Sequence, residues 1–344
     1  MPLSLIRLWL GPLPKEEIFP EKKPNFFLHW FIHPIKRRLA KYYLLTLQKI
    51  FGLTVIGITG SVGKTTTKRM LVSTLPGSIA TADNITSTYN IPTTILHAPP
   101  WIKCLILEMS IEYIGDMDFY LWLAHPDIAV ITPINITHTQ FLGDVKTITA
   151  EKMKITRYAK HIVSYKDFKT ESFAINNILA SKVAEVLGVT PNFDSYTPPP
   201  HRMNFINLPS GSILIDDTYN ASPLATKKAL KALIAAAKKH NKNPVFVFAQ
   251  MNELGSYEKS AHQEIGKLLK NFKFQISNFK LFCLGPATKH TIKSAGFGQY
   301  FENQEDLYKT VSHFTHDSSF IILIKGSRSW HLENLVEKII SLDS

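Results

Sequence analysis

The residues best suited to chemistry lie between Val55 and Thr67, where the apolar run Val55-Ile56-Gly57-Ile58-Thr59 enters the turn Gly60-Ser61-Val62-Gly63 and then Lys64-Thr65-Thr66-Thr67. Such a loop binds phosphate. Gly60 and Gly63 let the backbone N–H groups from Gly60 through Ser61, Val62, Gly63, Lys64, Thr65 and Thr66 converge on phosphate oxygens. The Lys64 ammonium reaches β- and γ-phosphates, and the Thr65 hydroxyl suits Mg²⁺, so ATP and Mg²⁺ are the expected cofactors. The first glycine is Gly57, which makes the spacing G-x-x-G-x-x-G-K-T, a variant of the generic phosphate loop. Glu108 follows the apolar run Leu105-Ile106-Leu107. A carboxylate at the C-terminal end of a strand is where open α/β sheets place ligand groups, and its hard oxygens suit magnesium.

A loop of this kind has to be held by a sheet with helices packed on it. After residue 50, short β-rich runs (Thr54–Ile58, Cys104–Leu107, Asp127–Thr132, His161–Ser164) alternate with helical patterns at Lys64–Leu75, Gly115–Leu123, Ile148–Tyr158 and Ser172–Leu187. That alternation predicts a mostly parallel sheet. The stretch from Thr190 to His201 contains Pro191 and Pro198-Pro199-Pro200, which stiffen it as a linker. A hairpin around Pro209-Ser210-Gly211 then opens a second alternating unit. The predicted fold class is therefore α/β, with a phosphate-loop ATP-binding central domain over 51–190 and a linker at 191–201. A Rossmann-like C-terminal domain over 202–344 follows, and a basic, aromatic segment occupies residues 1–50.

Composition sets the outer bounds. The 344 residues are 45% hydrophobic and 19% charged, as in a folded chain long enough for two cores. The net charge of +12 favours polyanionic partners. No helix-turn-helix or RNA-binding signature accompanies it, so nucleic acid is not an expected partner. Cys104 and Cys283, the only cysteines, are far apart, which argues against a disulfide framework or a structural zinc site and for a reducing cytoplasm. The apolar run from Leu3 to Leu10 is too short to span a bilayer and lacks a cleavage site. From Phe26 to Phe51, aromatics interleave with Lys36, Arg37, Arg38, Lys41 and Lys49. This pattern fits a helix packed on the following domain, or one lying on anionic lipid at the inner face of the membrane.

The variant loop followed by Thr-Thr resembles that of the Mur ligase family, ATP-dependent amide-forming enzymes of peptidoglycan precursor synthesis related to folylpolyglutamate synthases. Further segments carry the resemblance in order. Thr81 to Pro92 is similar to a Thr/Asn-rich segment, Leu105 to Ser110 to a strand ending in a metal-binding glutamate, and Ile131 to His138 to a loop with a metal-binding histidine. Ala150 to Ile155 is similar to the segment whose lysine, here Lys152, is carbamylated in many members. Ile215-Asp216-Asp217-Thr218-Tyr219-Asn220-Ala221-Ser222-Pro223, Met251-Asn252-Glu253-Leu254-Gly255 with His262, and Lys325-Gly326-Ser327-Arg328 resemble the branch that joins D-alanyl-D-alanine to UDP-N-acetylmuramoyl-tripeptide. The resemblance runs from about residue 54 to 340.

It implies an ADP- and phosphate-forming ligase that activates a carboxylate as an acyl phosphate. Lys64, His138 and Lys152 are the implied catalytic residues, and Thr65, Glu108, His138 and carbamylated Lys152 the implied metal ligands. Asn177 is implied to contact adenine, Arg202 and Asp217 ATP phosphate and ribose, and Asn220, Lys325 and Arg328 the amine substrate. The chain departs from the family in having only about 50 residues before the loop and 20 between Lys152 and Ser172, and in Gln250, Pro133 and Ser110. Two alternatives stay open at this point: the same chemistry on a lipid-linked or polyglutamate-like acceptor, and a non-catalytic ATP-binding scaffold.

Overall fold

The computed structural model describes residues 33–343 except 84, 86, 137, 138, 169–173 and 277. His138 therefore lies outside the described residues, as do residues 26–32 of the aromatic, basic segment. In chain order the helices and strands are α1 (His33–Phe51), β1 (Thr54–Thr59), α2 (Lys64–Thr74), β2 (Ile79–Ala80), α3 (Ser87–His97), β3 (Cys104–Glu108) and α4 (Asp116–Leu123). β4 (Ile128–Ile131), α5 (Thr139–Leu142), α6 (Val145–Met153), β5 (His161–Ser164), α7 (Ala174–Val186), β6 (Asn204–Asn207) and β7 (Ile213–Asp217) follow. The chain ends with α8 (Pro223–His240), β8 (Asn243–Ala249), α9 (Glu258–Gln275), β9 (Lys280–Leu284), α10 (Thr288–Ala295), β10 (Gln299–Phe301), α11 (Gln304–Thr315), β11 (Phe320–Lys325) and α12 (Glu333–Asp343).

Contacts divide the described chain into two units, 33–133 with 149–168 and 174–196, and 134–148 with 197–343. The stretch 134–148 groups with the second unit although it interrupts the first in sequence. Its anchors are short: the Thr139 hydroxyl donates to the Leu254 carbonyl at 2.8 Å and Ile136 packs on the second unit's core.

The first unit is a five-stranded parallel sheet in the order β2-β3-β1-β4-β5. Its central strand β1 is buried from Val55 to Thr59, because a strand with two neighbours and helices on both faces has no solvent side. Ile56, Ile58, Ile106 and Val130 pack with Leu71 of α2 and Leu179 and Val183 of α7. Helix α1 is fastened to this unit through buried Ala40, Leu44 and Leu47. The Tyr43 phenol donates to the Ala98 carbonyl at 2.6 Å, and Arg37 and Lys41 lie over the rings of Phe119 and Trp122 of α4. For residues 33–51, packing on the domain is thus observed. No helix among the described residues is long and apolar enough to cross a membrane.

The second unit is a six-stranded sheet in the order β10-β9-β8-β11-β7-β6, parallel except for β6, which pairs antiparallel with β7. Successive residues of its central strands feed different cores: Phe246, Phe248, Ile321 and Leu323 on one face, Val245, Val247, Ile322 and Ile324 on the other. Period-two alternation with both faces covered is what reads as an unbroken apolar run in sequence.

Candidate active site

The loop after β1 works by close approach. Gly60 has φ +147, and a Cβ there would lie 2.0 Å from the Thr132 hydroxyl oxygen. Gly63 has φ +91, and its Cβ would lie 2.2 Å from Oδ1 of Asn176. Only glycine fits a strained, crowded backbone of this kind. Replacing Gly60 with alanine is therefore expected to weaken Mg·ATP binding by about tenfold or more, since the strain alone is worth about 1–3 kcal/mol. Titration calorimetry with Mg·ATP checks this.

The loop's amides divide into two sets. The N–H groups of Ser61 and Val62 donate to the Pro133 carbonyl at 2.9 and 3.2 Å. Those two amides brace the loop against the end of β4. The loop leads into the first turn of α2. Its N-cap, Gly63, supplies no side-chain cap, so the amides at Lys64, Thr65 and Thr66 begin the helix with its positive end toward the loop.

Two lysines meet at one oxygen. The Lys64 and Lys152 ammonium nitrogens lie 3.1 and 3.0 Å from the Gly60 carbonyl. Lys152, in the last turn of α6, is 1% exposed. Burial, and then repulsion from Lys64, hold its pKa well below the ordinary lysine value. A lowered pKa favours the neutral amine, the form that adds to CO₂ to give a carbamate.

Thr65 and Glu108 form the magnesium-like pair. The Thr65 hydroxyl oxygen lies 3.3 and 3.2 Å from the two Glu108 carboxylate oxygens. Adjacent ligands of an octahedral Mg²⁺ stand about 3 Å apart, given metal–oxygen distances of about 2.1 Å, so this donor set fits the ion. Sequence reasoning missed the cation beside it. Lys68, one helical turn after Lys64 and 2% exposed, bridges Asp83 at 2.7 Å and Glu108 at 3.2 Å. Burial tends to raise the Asp83 carboxyl, but Lys68 and Arg69 outweigh it and leave Asp83 below the usual carboxylate value. The one-turn spacing from Lys64 was the available signal.

Asn177 and its neighbour Asn176 face opposite ways. The Asn177 side chain is exposed on α7, with the Ser181 hydroxyl at 3.4 Å. The preceding Asn176 is 4% exposed and accepts from the Thr67 hydroxyl at 3.4 Å, directly against Gly63. One residue along a helix is a turn of about 100°, enough to exchange an inward for an outward position.

In the second unit, β7 and β11 are register partners, with Asp217 opposite Lys325. The Lys325 ammonium lies 2.5 Å from the Asp217 carboxylate and 2.9 Å from the Asn220 carbonyl, and the residue is 1% exposed. Lys325 is a buried strut between β11 and the segment that leaves β7. Its length and charge are taken up by the strand beside it. Burial raises the Asp217 carboxyl against the pull of Lys325 and Arg202. The Asn220 side chain is exposed and accepts from the Ala221 N–H at 2.8 Å.

Arg202 and Arg328 meet at Tyr219, their guanidinium carbons 3.8 and 5.6 Å from the ring centroid. Arg328 also pairs with Glu333 at 3.4 Å and is half exposed. Arg202 sits between His201 and Met203, whose φ values are +59 and +55. His201 holds that backbone by pairing with Asp216 at 2.7 Å and by accepting from the Tyr219 N–H at 3.0 Å. Left-handed non-glycine residues on both sides of an arginine mark a position whose surroundings over-determine it. His262 is part of the scaffold. Its Nε2 accepts from the Met251 N–H at 3.2 Å, and burial pushes its pKa down to about 4.

Comparison with known proteins agrees with this layout. Residues 58–189 match the Mur ligase middle domain, and residues 201–328 match the Mur ligase glutamate ligase domain. The UDP-N-acetylmuramoyl-tripeptide–D-alanyl-D-alanine ligase of Bacillus subtilis is 26% identical over 88% of this chain and 79% of the relative. MurF from Acinetobacter baumannii superimposes with a TM-score of 0.79 at 23% identity, over 90% of this chain and 80% of that one. MurF from Thermotoga maritima, solved in complex with ADP, gives 0.76 at 23% identity over 90% and 84%. With a phosphate loop and an acidic strand end in the first unit, a glutamate-ligase unit after it, and both family domains matched in order, the chain belongs to the Mur ligase family.

Proposed function

We propose that this chain is the ATP-dependent ligase that joins D-alanyl-D-alanine to UDP-N-acetylmuramoyl-tripeptide. The observation that carries the ATP chemistry is the Thr65–Glu108 oxygen pair beside the first turn of α2. The choice of substrates is supported by the name of the Bacillus subtilis relative.

Amide formation in water needs an activated acyl group. The tripeptide carboxylate attacks the γ-phosphorus, the bond to the β–γ bridging oxygen breaks, and ADP leaves. The amine of D-alanyl-D-alanine then attacks the acyl carbon, phosphate departs with the C–O electron pair, and the nitrogen loses a proton. The first step brings two anions together, so cations must offset their repulsion. Lys64 supplies one from the loop. Thr65 and Glu108 would hold magnesium, which adds Lewis-acid charge at the phosphates. We assign carbamylated Lys152 to a second metal position and the Arg202–Tyr219–Arg328 cluster to phosphate and carboxylate recognition. His138 stays in this proposal on the family resemblance alone. ATP and a UDP-linked substrate place the reaction in the cytoplasm.

The test is phosphate release from Mg·ATP by the purified protein, with UDP-N-acetylmuramoyl-tripeptide and D-alanyl-D-alanine supplied singly and together. Phosphate and an amide product of the summed mass, less water, are expected only with both substrates. Nucleotide binding without that product would overturn the substrate assignment, and absence of Mg·ATP binding would overturn the ligase.

A further inference from the structure

Helix α1 is apolar on two sides. Its inner side, Ala40, Leu44 and Leu47, is buried on the first unit. Its outer side carries Ile35, Leu39, Tyr42 and Ile50, which are 47, 58, 65 and 72% exposed. At about 100° per residue these four fall within an arc of about 80°, with Thr46 the polar member of the same arc. A helix that merely packs on a domain needs one apolar stripe, and its solvent side is normally polar. A continuous exposed stripe marks a surface that meets something.

The charge identifies the partner. The helix carries Lys36, Arg37, Arg38, Lys41 and Lys49 and no acidic residue. Lys49 is exposed at the edge of the stripe, and Phe51 is 44% exposed at its end. The Thr54 N–H, just beyond the helix, donates to the Lys103 carbonyl at 2.9 Å, which brings the Trp101–Lys103 loop to the same end. Trp101 is 79% exposed and Lys103 is exposed. The Asp127 carboxylate is occupied by Gln48, Lys160 and the Val55 N–H. Arg37 and Lys41 are turned onto Phe119 and Trp122 and Lys36 donates to Thr93, so a second copy docking here would set exposed Lys49 and Lys103 of one chain against those of the other with no acid of the helix to pair them, which repels.

We propose that the outer face of α1, with the Trp101 corner, docks on an anionic lipid bilayer. Ile35, Leu39 and Ile50 enter the headgroup–acyl boundary with the helix axis in the membrane plane. Tyr42 and Trp101 sit at headgroup depth, where an aromatic body with a polar edge is favoured. Lys49 and Lys103, exposed beside the stripe, are drawn to the negative surface potential. This docking does not depend on which acceptor the ligase uses.

The experiment is sedimentation of the full chain with vesicles of phosphatidylcholine alone or mixed with phosphatidylglycerol, at low and high salt. Binding is expected to the mixed vesicles, weaker in high salt, and little to phosphatidylcholine alone. The double variant Leu39→Glu/Ile50→Glu alters only exposed positions. It is expected to keep the wild-type thermal midpoint and lose about tenfold or more of the partitioning. Trp101→Ser should lose part of it. Equal partitioning of wild type and double variant would overturn the proposal, as would failure of the wild type to bind mixed vesicles. Light scattering supplies a separate arm: a concentration-dependent dimer abolished by the double variant would assign the face to a second copy and overturn it as well.

Discussion

Lys152→Met is expected to abolish ligation and, at neutral pH, to raise the thermal midpoint. The two effects have one origin. Lys152 is 1% exposed, and its amine faces the Gly60 carbonyl beside the Lys64 ammonium. Burial and that neighbouring charge lower its pKa well below the ordinary lysine value. The sign follows from proton counting. Between the lowered folded-state pKa and the unfolded value of 10.5, the unfolded chain binds the proton and the folded chain does not. Stability in that window therefore rises with pH, by about 1.4 kcal/mol per unit for one proton, and Lys152 is a net cost to folding at pH 7. Methionine has similar length and no charge, so it removes the cost. The gain should shrink as pH approaches 10.5 and vanish above it, where the lysine is neutral in both states.

Activity should move the other way. A carbamate on Lys152 turns a disfavoured cation into an anion beside Lys64, and its loss should lower turnover by about 10²-fold or more. Added bicarbonate should raise the wild-type thermal midpoint and leave the variant's unchanged. Thermal unfolding across pH 7–10.5, run alongside the ligation assay, checks both halves. A variant that is less stable at pH 7, or one that keeps full activity, would remove Lys152 from the role assigned to it.

Lys325→Met is expected to have the largest effect on stability, a loss of about 3–5 kcal/mol, because it takes from a buried carboxylate the counter-charge that is hydrogen-bonded to it. Asp217 and Lys325 face each other across β7 and β11 at 2.5 Å, and the same ammonium holds the Asn220 carbonyl at 2.9 Å. The pH dependence has a defined sign. Burial already raises the Asp217 carboxyl, and removing Lys325 raises it further. A carboxyl whose folded-state pKa is raised favours the protonated folded chain, so its cost is absent below the unfolded value of 3.8 and grows as pH rises through the folded one. Urea midpoints for Lys325→Met should therefore approach the wild type at low pH and diverge from it toward neutrality. Asp217→Leu combined with Lys325→Met should recover much of the loss, since an apolar pair leaves no buried charge. A double variant no more stable than the single one would show that the strut does more than pair charge. Ligation should fall in both, because Asn220 and the Tyr219 platform lie on the segment that leaves β7.

What the sequence determined by itself is local. The strand, glycine turn and helix from Val55 to Thr67 were legible because a parallel interior strand must be apolar throughout and the chain must then turn through glycines to start a helix. The antiparallel hairpin around Pro209-Ser210-Gly211 was legible for a similar reason. So was Glu108 at a strand end. The tertiary structure decided what depends on neighbours distant in sequence. Lys325 has its partner 108 residues away on an adjacent strand, and only the register of β7 with β11 shows that its charge is consumed there. Pro133, brought in by β4, takes the Ser61 and Val62 amides. Asn176 rather than Asn177 meets the loop because α7 is rotated to present one and not the other, a distinction two adjacent identical residues cannot carry. The outward stripe of α1 was likewise hidden, since the composition of a helix does not say which of its apolar sides the domain has covered. Periodicity reports that a side chain has a face; contact between separated elements settles whether that face is core, site or surface.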